Sequence, residues 1–464
     1  MSIAKEILAA IGMPERLDTQ LGQFGFHDGL PTADGVDRLF DALDLVRAVE
    51  AFLLAMPGAA LAAMRAGLRN VGVTSARQIG VTAPRPSSLY LTPDPDLTYG
   101  QTFLNLDTDG PTVVEVPPNT LCAVDDFWFR HVTDLGLTGP DQGRGGKYLF
   151  LPPDHEEEVP DGYYTFRSPT FTNRAVFRAL DGVEAIRQVR VYPLAQAAYP
   201  PPNEFVDLAD RPHNTVHAGD AAFYDEVDVV VQEEPLESLD PERRGILASI
   251  GMVKGDVFGP DQRMRAILAQ AAPLGAGIAR ALVFRPRDPQ AYLYPDSSWK
   301  HLSVGGREFL DEGARLLDAR TMFHYLATAA TPAASPVGTG SASAYTAEDA
   351  DGRWLDGGHP YRLRLPRRIP AKTSWSVCVY DCQTRSLLIT DRPQPSVSSL
   401  SGTVEADADG STDVHFGPVP PPGREPNWIP TVPGKHWFTV LRLHGPLQPW
   451  YDQTWRPGEI ERTG

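Results

Sequence analysis

The run Asp125-Asp126-Phe127-Trp128-Phe129-Arg130-His131 sets two carboxyls, a guanidinium and an imidazole among three large aromatics. Carboxyls and imidazoles are the common general acids and bases, a guanidinium clamps an anion or a polarised carbonyl, and an indole supplies an apolar floor. Read as one strand from Leu121 to Val132, the run puts Asp126, Trp128 and Arg130 on one face and Asp125, Phe127, Phe129 and His131 on the other. Residues four apart on a strand are ~13 Å apart, so Asp126 and Arg130 would need other partners. The expected catalytic set is Asp126, Arg130, Asp125 and His131. Trp128, Tyr99, Arg320 and Tyr325 are the expected substrate contacts, with no metal and no cofactor. The competing reading is a buried Asp–Arg network that ties sheet to sheet.

Other motifs carry less. His213 and His217 have the four-residue spacing that chelates a metal on a helix, but the glutamate of HExxH is missing and the pair straddles a helix start. Lys300-His301, with Arg320 and Tyr325 beyond, could face a cleft between domains. Glu233-Glu234 reads as a solvated helix end. Gly143-Arg144-Gly145-Gly146-Lys147 reads as a β-turn, because no Ser/Thr and helix follow as in a phosphate loop. Trp437, Trp450, Tyr451 and Trp455 could stack on sugars, although such aromatics usually close a core.

These residues must be positioned by a repeated scaffold. Leu106-Asp107 aligns with Leu355-Asp356, Pro111 with Pro360, Val114 and Val116 with Leu363 and Leu365, and Pro117 with Pro366, at a constant offset of 356 − 107 = 249. After a change in loop length, Trp128 and Asp134 align with Trp375 and Asp381. A third echo pairs Tyr163–Arg167 with Trp437–Arg442. Asp125, Asp126, Arg130 and His131 have no counterpart, so any site in the first copy is not duplicated.

The expected fold is α+β, mainly β: two jelly-roll-like antiparallel β-sandwiches with an N-terminal helical arm and a central helical block. Residues 1–83 form the arm, 84–214 the first sandwich domain, 215–335 the helical block and 336–464 the second sandwich domain. Short alternating segments punctuated by Pro, Gly, Asp and Asn mark the sandwiches. Helical periodicity marks Val36–Leu54, His217–Gln232, Pro241–Ile250, Pro260–Phe284 and Asp311–Ala330.

At 464 residues the chain exceeds one core. Its 59 acidic against 42 basic residues give a net charge of −17, which repels phosphate backbones and anionic lipid and argues against nucleic-acid or membrane partners. The apolar run Ala48–Leu68 is broken by Glu50, Pro57 and Arg65 and so is not expected to span a membrane. Cys122, Cys378 and Cys382 form no disulfide framework. No secretory leader is evident. A soluble, cytoplasmic protein that assembles as a homo-oligomer is expected.

The segments TPDPDLTYGQTFLNLDTDGPTVVEVPP, VDDFWFRHVTDLG, GKYLFLPP and YYTFRSPT resemble the family of domain of unknown function 1254 (DUF1254). WSVCVYDCQTRSLLITD, DADGSTDVHFGP, NWIPTVPGKHWFTVLRLHGPLQPW and TWRPGEIE resemble domain of unknown function 1214 (DUF1214). The resemblance spans nearly all of Leu89–Glu461. It implies a jelly-roll-like sandwich in each half and a likeness to the double jelly rolls of large-virus capsid proteins, with no catalytic residues to carry over.

Two functions follow. The first is an uncharacterised protein that binds or transforms, hydrolysis included, a small neutral organic molecule between a β-sandwich and the helical block. The alternative is a structural or assembly protein with a capsid-like double jelly roll and no catalysis. Charged residues among aromatics favour the first.

Overall fold

The computed structural model describes residues 5–179, 182–327 and 336–464. Two β-sandwiches flank a set of helices, as the period-2 and helical segments predict. In the first sandwich a six-stranded sheet, ordered 204–207, 78–82, 98–105, 172–179, 121–126, 131–136, faces a four-stranded sheet ordered 164–167, 146–151, 112–116, 190–193. In the second, a five-stranded sheet ordered 300–301, 341–346, 437–446, 371–381, 396–398 faces a four-stranded one ordered 428–430, 412–417, 361–365, 460–462. Pairing is antiparallel except for Tyr164–Arg167, Trp428–Pro430 and Glu204–Asp207, which run parallel to their neighbours.

The internal repeat is therefore architectural. Both four-stranded sheets have the same order and directions, and Thr112–Val116 stands where Tyr361–Leu365 stands, as the 249-residue offset predicts. Two of the sequence echoes do not survive. Thr172–Ala179, not Tyr163–Arg167, occupies the place of Trp437–Pro446 at the centre of its sheet. Trp375 and Asp381 lie on one strand, whereas Trp128 lies in a turn and Asp134 on the strand after it.

Alternation builds both sandwich interiors. Val114, Val116, Cys122, Val124, Phe150 and Phe177 fill the first. Leu363, Leu365, Val377, Val379, Phe416 and Leu441 fill the second. The residues between these on the second sheet, Cys378, Tyr380, Phe438 and Val440, point the other way, into the helices.

Five helices of nine or more residues complete the core: α1 (Ala33–Asn70), α2 (Ala222–Glu233), α3 (Pro241–Ser249), α4 (Gln262–Phe284) and α5 (Leu317–Leu326). Asp240 and Asp261 cap α3 and α4 by accepting from the N–H groups of Arg243 and Met264. The last residues of the expected Asp311–Ala330 helix, 328–330, lie outside the described residues. The N-terminal segment is not a separate arm: residues 16–31 form a small three-stranded sheet, and α1 packs into one core with the other four helices. By length and composition α1 and α4 could each cross a bilayer, contrary to the expectation for Ala48–Leu68. Packing accounts for their apolarity here, since α1 is the central helix and is buried almost continuously from Ala55 to Leu68.

Candidate functional site

The strand from Leu121 ends at Asp126 rather than at Val132. The chain turns through Phe127–Arg130, and a new strand starts at His131. Phe129 takes a left-handed φ of 59°, which is costly for a bulky residue unless the surroundings fix it. Asp126 does so. Its Oδ1 accepts from the backbone N–H groups of Trp128 and Arg130, both at 2.9 Å, and its Oδ2 accepts from Arg130 Nε at 2.6 Å. The strand-based separation of Asp126 and Arg130 is thus overturned, because chain reversal brings the two side chains into direct contact.

The same turn sends Trp128 against α1 at Gly58, where an added Cβ would lie 2.8 Å from the indole. Trp128 Nε1 donates to Ser238 Oγ at 3.0 Å, closing the wall on the other side. Between this turn, α1, α3, α5 and the loop around Arg307 lies a cavity of about 520 Å³. Of the eight expected site residues, Trp128, Arg130, His131 and Arg320 line it.

The other four expected residues do not line it. Asp126 is fully buried behind the turn it braces. Asp125 is also fully buried, and its carboxylate oxygens accept no hydrogen bond. Arg174 and His131 approach Asp125 only to 3.9 Å, and burial, opposed by Arg174, pushes its carboxyl up to about 7. The Tyr99 hydroxyl accepts from Asp94 N–H at 3.2 Å. The Tyr325 hydroxyl accepts from Arg385 Nη1 at 2.7 Å, with that guanidinium 4.0 Å over its ring.

Charge is the feature the sequence did not reveal. Arg243, Arg307 and Arg315 join Arg130 and Arg320 around the cavity. Arg130 is held by Asp126, Arg243 by Asp240 at 3.2 Å, and Arg307 by Asp134 while also donating to His131 Nε2. Arg315 is exposed and donates to the Glu308 carbonyl. Among the described residues Arg320 has neither hydrogen bond nor ion pair, though it is only 8% exposed. Burial, aided by Arg243 and Arg315, lowers it to about 10, so it remains a cation at neutral pH. One turn on along α5, His324 lies on the same face among Phe129, Phe309 and Phe323, held neutral by burial at about 3. His131 is lowered to about 4, chiefly by burial. Beside an uncharged ligand the Arg320 charge would stay uncompensated.

The remaining motifs resolve structurally. His213 bonds to Tyr90 Oη at 2.5 Å and to the Arg211 carbonyl, while His217 packs its ring near Phe52, Phe223 and Tyr325, so each imidazole is engaged separately. Lys300 is buried against Glu348 at 3.0 Å. Gly143 and Gly145, both with positive φ, make the expected turn. Trp437, Trp450 and Trp455 are core residues, and Tyr451 is exposed. Glu233-Glu234 is not a solvated pair: Glu233 binds Arg65 at 2.6 Å, and buried Glu234 accepts from the N–H groups of Phe171 and Thr172.

Burial raises Glu234 to about 7 and Glu226 to about 8, against backbone N–H donors that pull the other way. An acid whose folded pKa is raised adds stability below its unfolded value near 4.5 and loses it as pH rises through the folded value. Thermal stability should therefore fall between about pH 4.5 and 8. Glu226→Gln should flatten that fall by up to about 1 kcal/mol per pH unit, with no further pH effect of the substitution above about pH 8. Parallel pH–Tm curves for the two proteins would refute this.

Residues 78–198 match the model of a family described as a protein of unknown function, DUF1254, and residues 340–448 that of a second so described, DUF1214. No curated protein matches the chain. The crystal structure of the VPA0106 protein from Vibrio parahaemolyticus superposes with a TM-score of 0.55 at 18% identity, covering 91% of this chain and 100% of that one. That is a likeness of fold alone. An uncharacterized protein from Burkholderia cenocepacia gives a TM-score of 0.42 at 13% identity, covering 91% of this chain and 95% of its own.

Proposed function

We propose that this chain, whose residues 78–198 match DUF1254 and 340–448 match DUF1214, binds a small organic acid between the first sandwich and the helices. The observation that carries the reading is Arg320, a buried guanidinium without a partner at the wall of a 520 Å³ cavity. An uncompensated buried charge costs several kcal/mol, on the order of the stability of a whole domain, and a ligand anion offsets it. Leu54, Leu239, Leu247, Phe309 and Trp128 also line the cavity and receive the apolar body of the ligand. A smaller apolar cavity of about 90 Å³ shares Trp128, Leu239 and Leu247 with it. The site binds rather than transforms: Asp125 and Asp126 are walled off, and His131 Nε2 is already occupied as an acceptor for Arg307.

Thermal shift at constant ionic strength tests this. Benzoate, octanoate and succinate should raise Tm by several degrees, while benzamide, octanol and added chloride should not. Equal responses to the acids and their neutral analogues would overturn the reading. The assembly alternative draws on one observation, the shared strand order of the two four-stranded sheets. It requires a large closed oligomer by native mass together with silence towards every acid.

A further inference from the structure

Away from the cavity, loop 92–96 of the first half inserts into the outer face of the second sandwich's five-stranded sheet. Thr92 takes a positive φ of 37° there. Its carbonyl accepts from Arg442 at 2.7 Å, the Pro93 carbonyl accepts from Tyr380 Oη at 2.7 Å, and Asp96 Oδ2 accepts from Ser398 Oγ at 2.6 Å. This docking carries two carboxylates, Asp94 and Asp96, to His444, and ligand atoms of the three all lie within 4.8 Å of one another. Asp94 Oδ2 is 3.1 Å from His444 Nε2. That nitrogen, in a residue only 4% exposed, meets no other partner among the described residues.

The surroundings are also unsatisfied. Ser374 stands opposite His444 and Ser376 opposite Arg442 across the paired strands, so both serines share their face. Both are buried, and neither hydroxyl has a partner among the described residues. Native interiors rarely leave buried polar atoms unpaired, and a cluster of them marks a bound ion or ordered water.

We propose that Asp94, Asp96 and His444 hold a divalent first-row cation of the zinc, manganese or cobalt kind, with the Ser374 and Ser376 hydroxyls beside it to take up metal-bound water. Two carboxylates and one imidazole are a common ligand set for such ions. Donors up to 4.8 Å apart close to the required separations by small side-chain rotations. Arg442 Nε lies 3.7 Å from Asp94 Oδ2 and offsets part of the negative charge, while its Nη1 and Nη2 are committed to Tyr380 and Thr92. The imidazole nitrogen selects a first-row ion over calcium or magnesium, which take oxygen ligands. The ion staples the two sandwiches. Because Thr92 Oγ1 also donates to the Leu326 carbonyl at 2.7 Å, it also steadies the C-terminal end of α5, whose first turns carry Arg320.

Full-length protein stripped with chelator and re-equilibrated with Zn²⁺, Mn²⁺ or Co²⁺ should retain about one ion per chain by elemental analysis and melt several degrees higher than the stripped form. Asp96→Asn and His444→Gln should each weaken retention at least about tenfold, while His213→Gln should not. X-ray absorption of the zinc-loaded wild type should show one imidazole and otherwise oxygen ligands, a readout that does not depend on any variant folding. Failure of the wild type to retain an ion, retention unchanged in both ligand variants, or a shell of two or more imidazoles would overturn the proposal.

Discussion

Arg320→Leu should melt several degrees above the wild type in the absence of ligand and should no longer respond to organic acids. The wild-type guanidinium is 8% exposed, has no partner and is surrounded by low-dielectric walls that lower it to about 10. Replacing a poorly compensated buried charge with an apolar side chain of similar reach is often stabilising by about 1–4 kcal/mol. For folding units of 150–250 residues each kcal/mol moves Tm by roughly 2–4 °C. Such a gain on removing a group is the mark of a site that holds strain for a ligand rather than for the fold. Arg320→Lys keeps the charge but loses the planar fork, so it should retain a weakened response to carboxylates. Arg315→Ala should change little, because that side chain is exposed and solvated. A lower melting temperature in Arg320→Leu with the acid response intact would show the guanidinium to be structural.

The sequence was most legible where a physical pattern is local. Alternation and a constant offset located Thr112–Val116 and Tyr361–Leu365 in equivalent sheets, and helical periodicity located α2 to α5 to within a few residues. It misled where a turn carried none of the usual turn residues. The segment Phe127–Arg130 has no Gly, Pro, Asn or Asp, so one strand was read where the structure has a hairpin held by Asp126 from one position upstream. The equation of Trp128 with Trp375 failed for the same reason, because similar wording sits in a turn in one copy and inside a strand in the other. Half of the expected site residues reached the cavity because the aromatic–charged run fixes its wall. Arg243, Arg307 and Arg315 could not be read, since they come from a helix start and a loop more than a hundred residues downstream of that run, and only packing brings them together.

The second large effect separates the turn from the pocket it forms. Asp126→Ala should cost about 3–5 kcal/mol and abolish acid binding with it. The substitution strands the buried Trp128 N–H and the part-buried Arg130 N–H, releases Arg130 from its only ion pair among the described residues, and removes what keeps Phe129 at a φ of 59°. Asp126→Asn can still accept from the Trp128 and Arg130 N–H groups through its amide oxygen, so it should lose far less stability and keep part of the binding. Arg130→Ala removes a side chain that is 42% exposed. It should cost less stability than Asp126→Ala, because the Trp128 and Arg130 N–H groups still hold the buried carboxylate, while weakening acid binding. Denaturant melts and acid titrations on the three variants together distinguish the possibilities. A catalytic or ligand-contacting Asp126 predicts that Asn is as damaging to binding as Ala while both remain stable. A carboxylate that braces the turn predicts the order Ala, Asn, wild type in both stability and binding, with Arg130→Ala losing binding out of proportion to its smaller loss of stability.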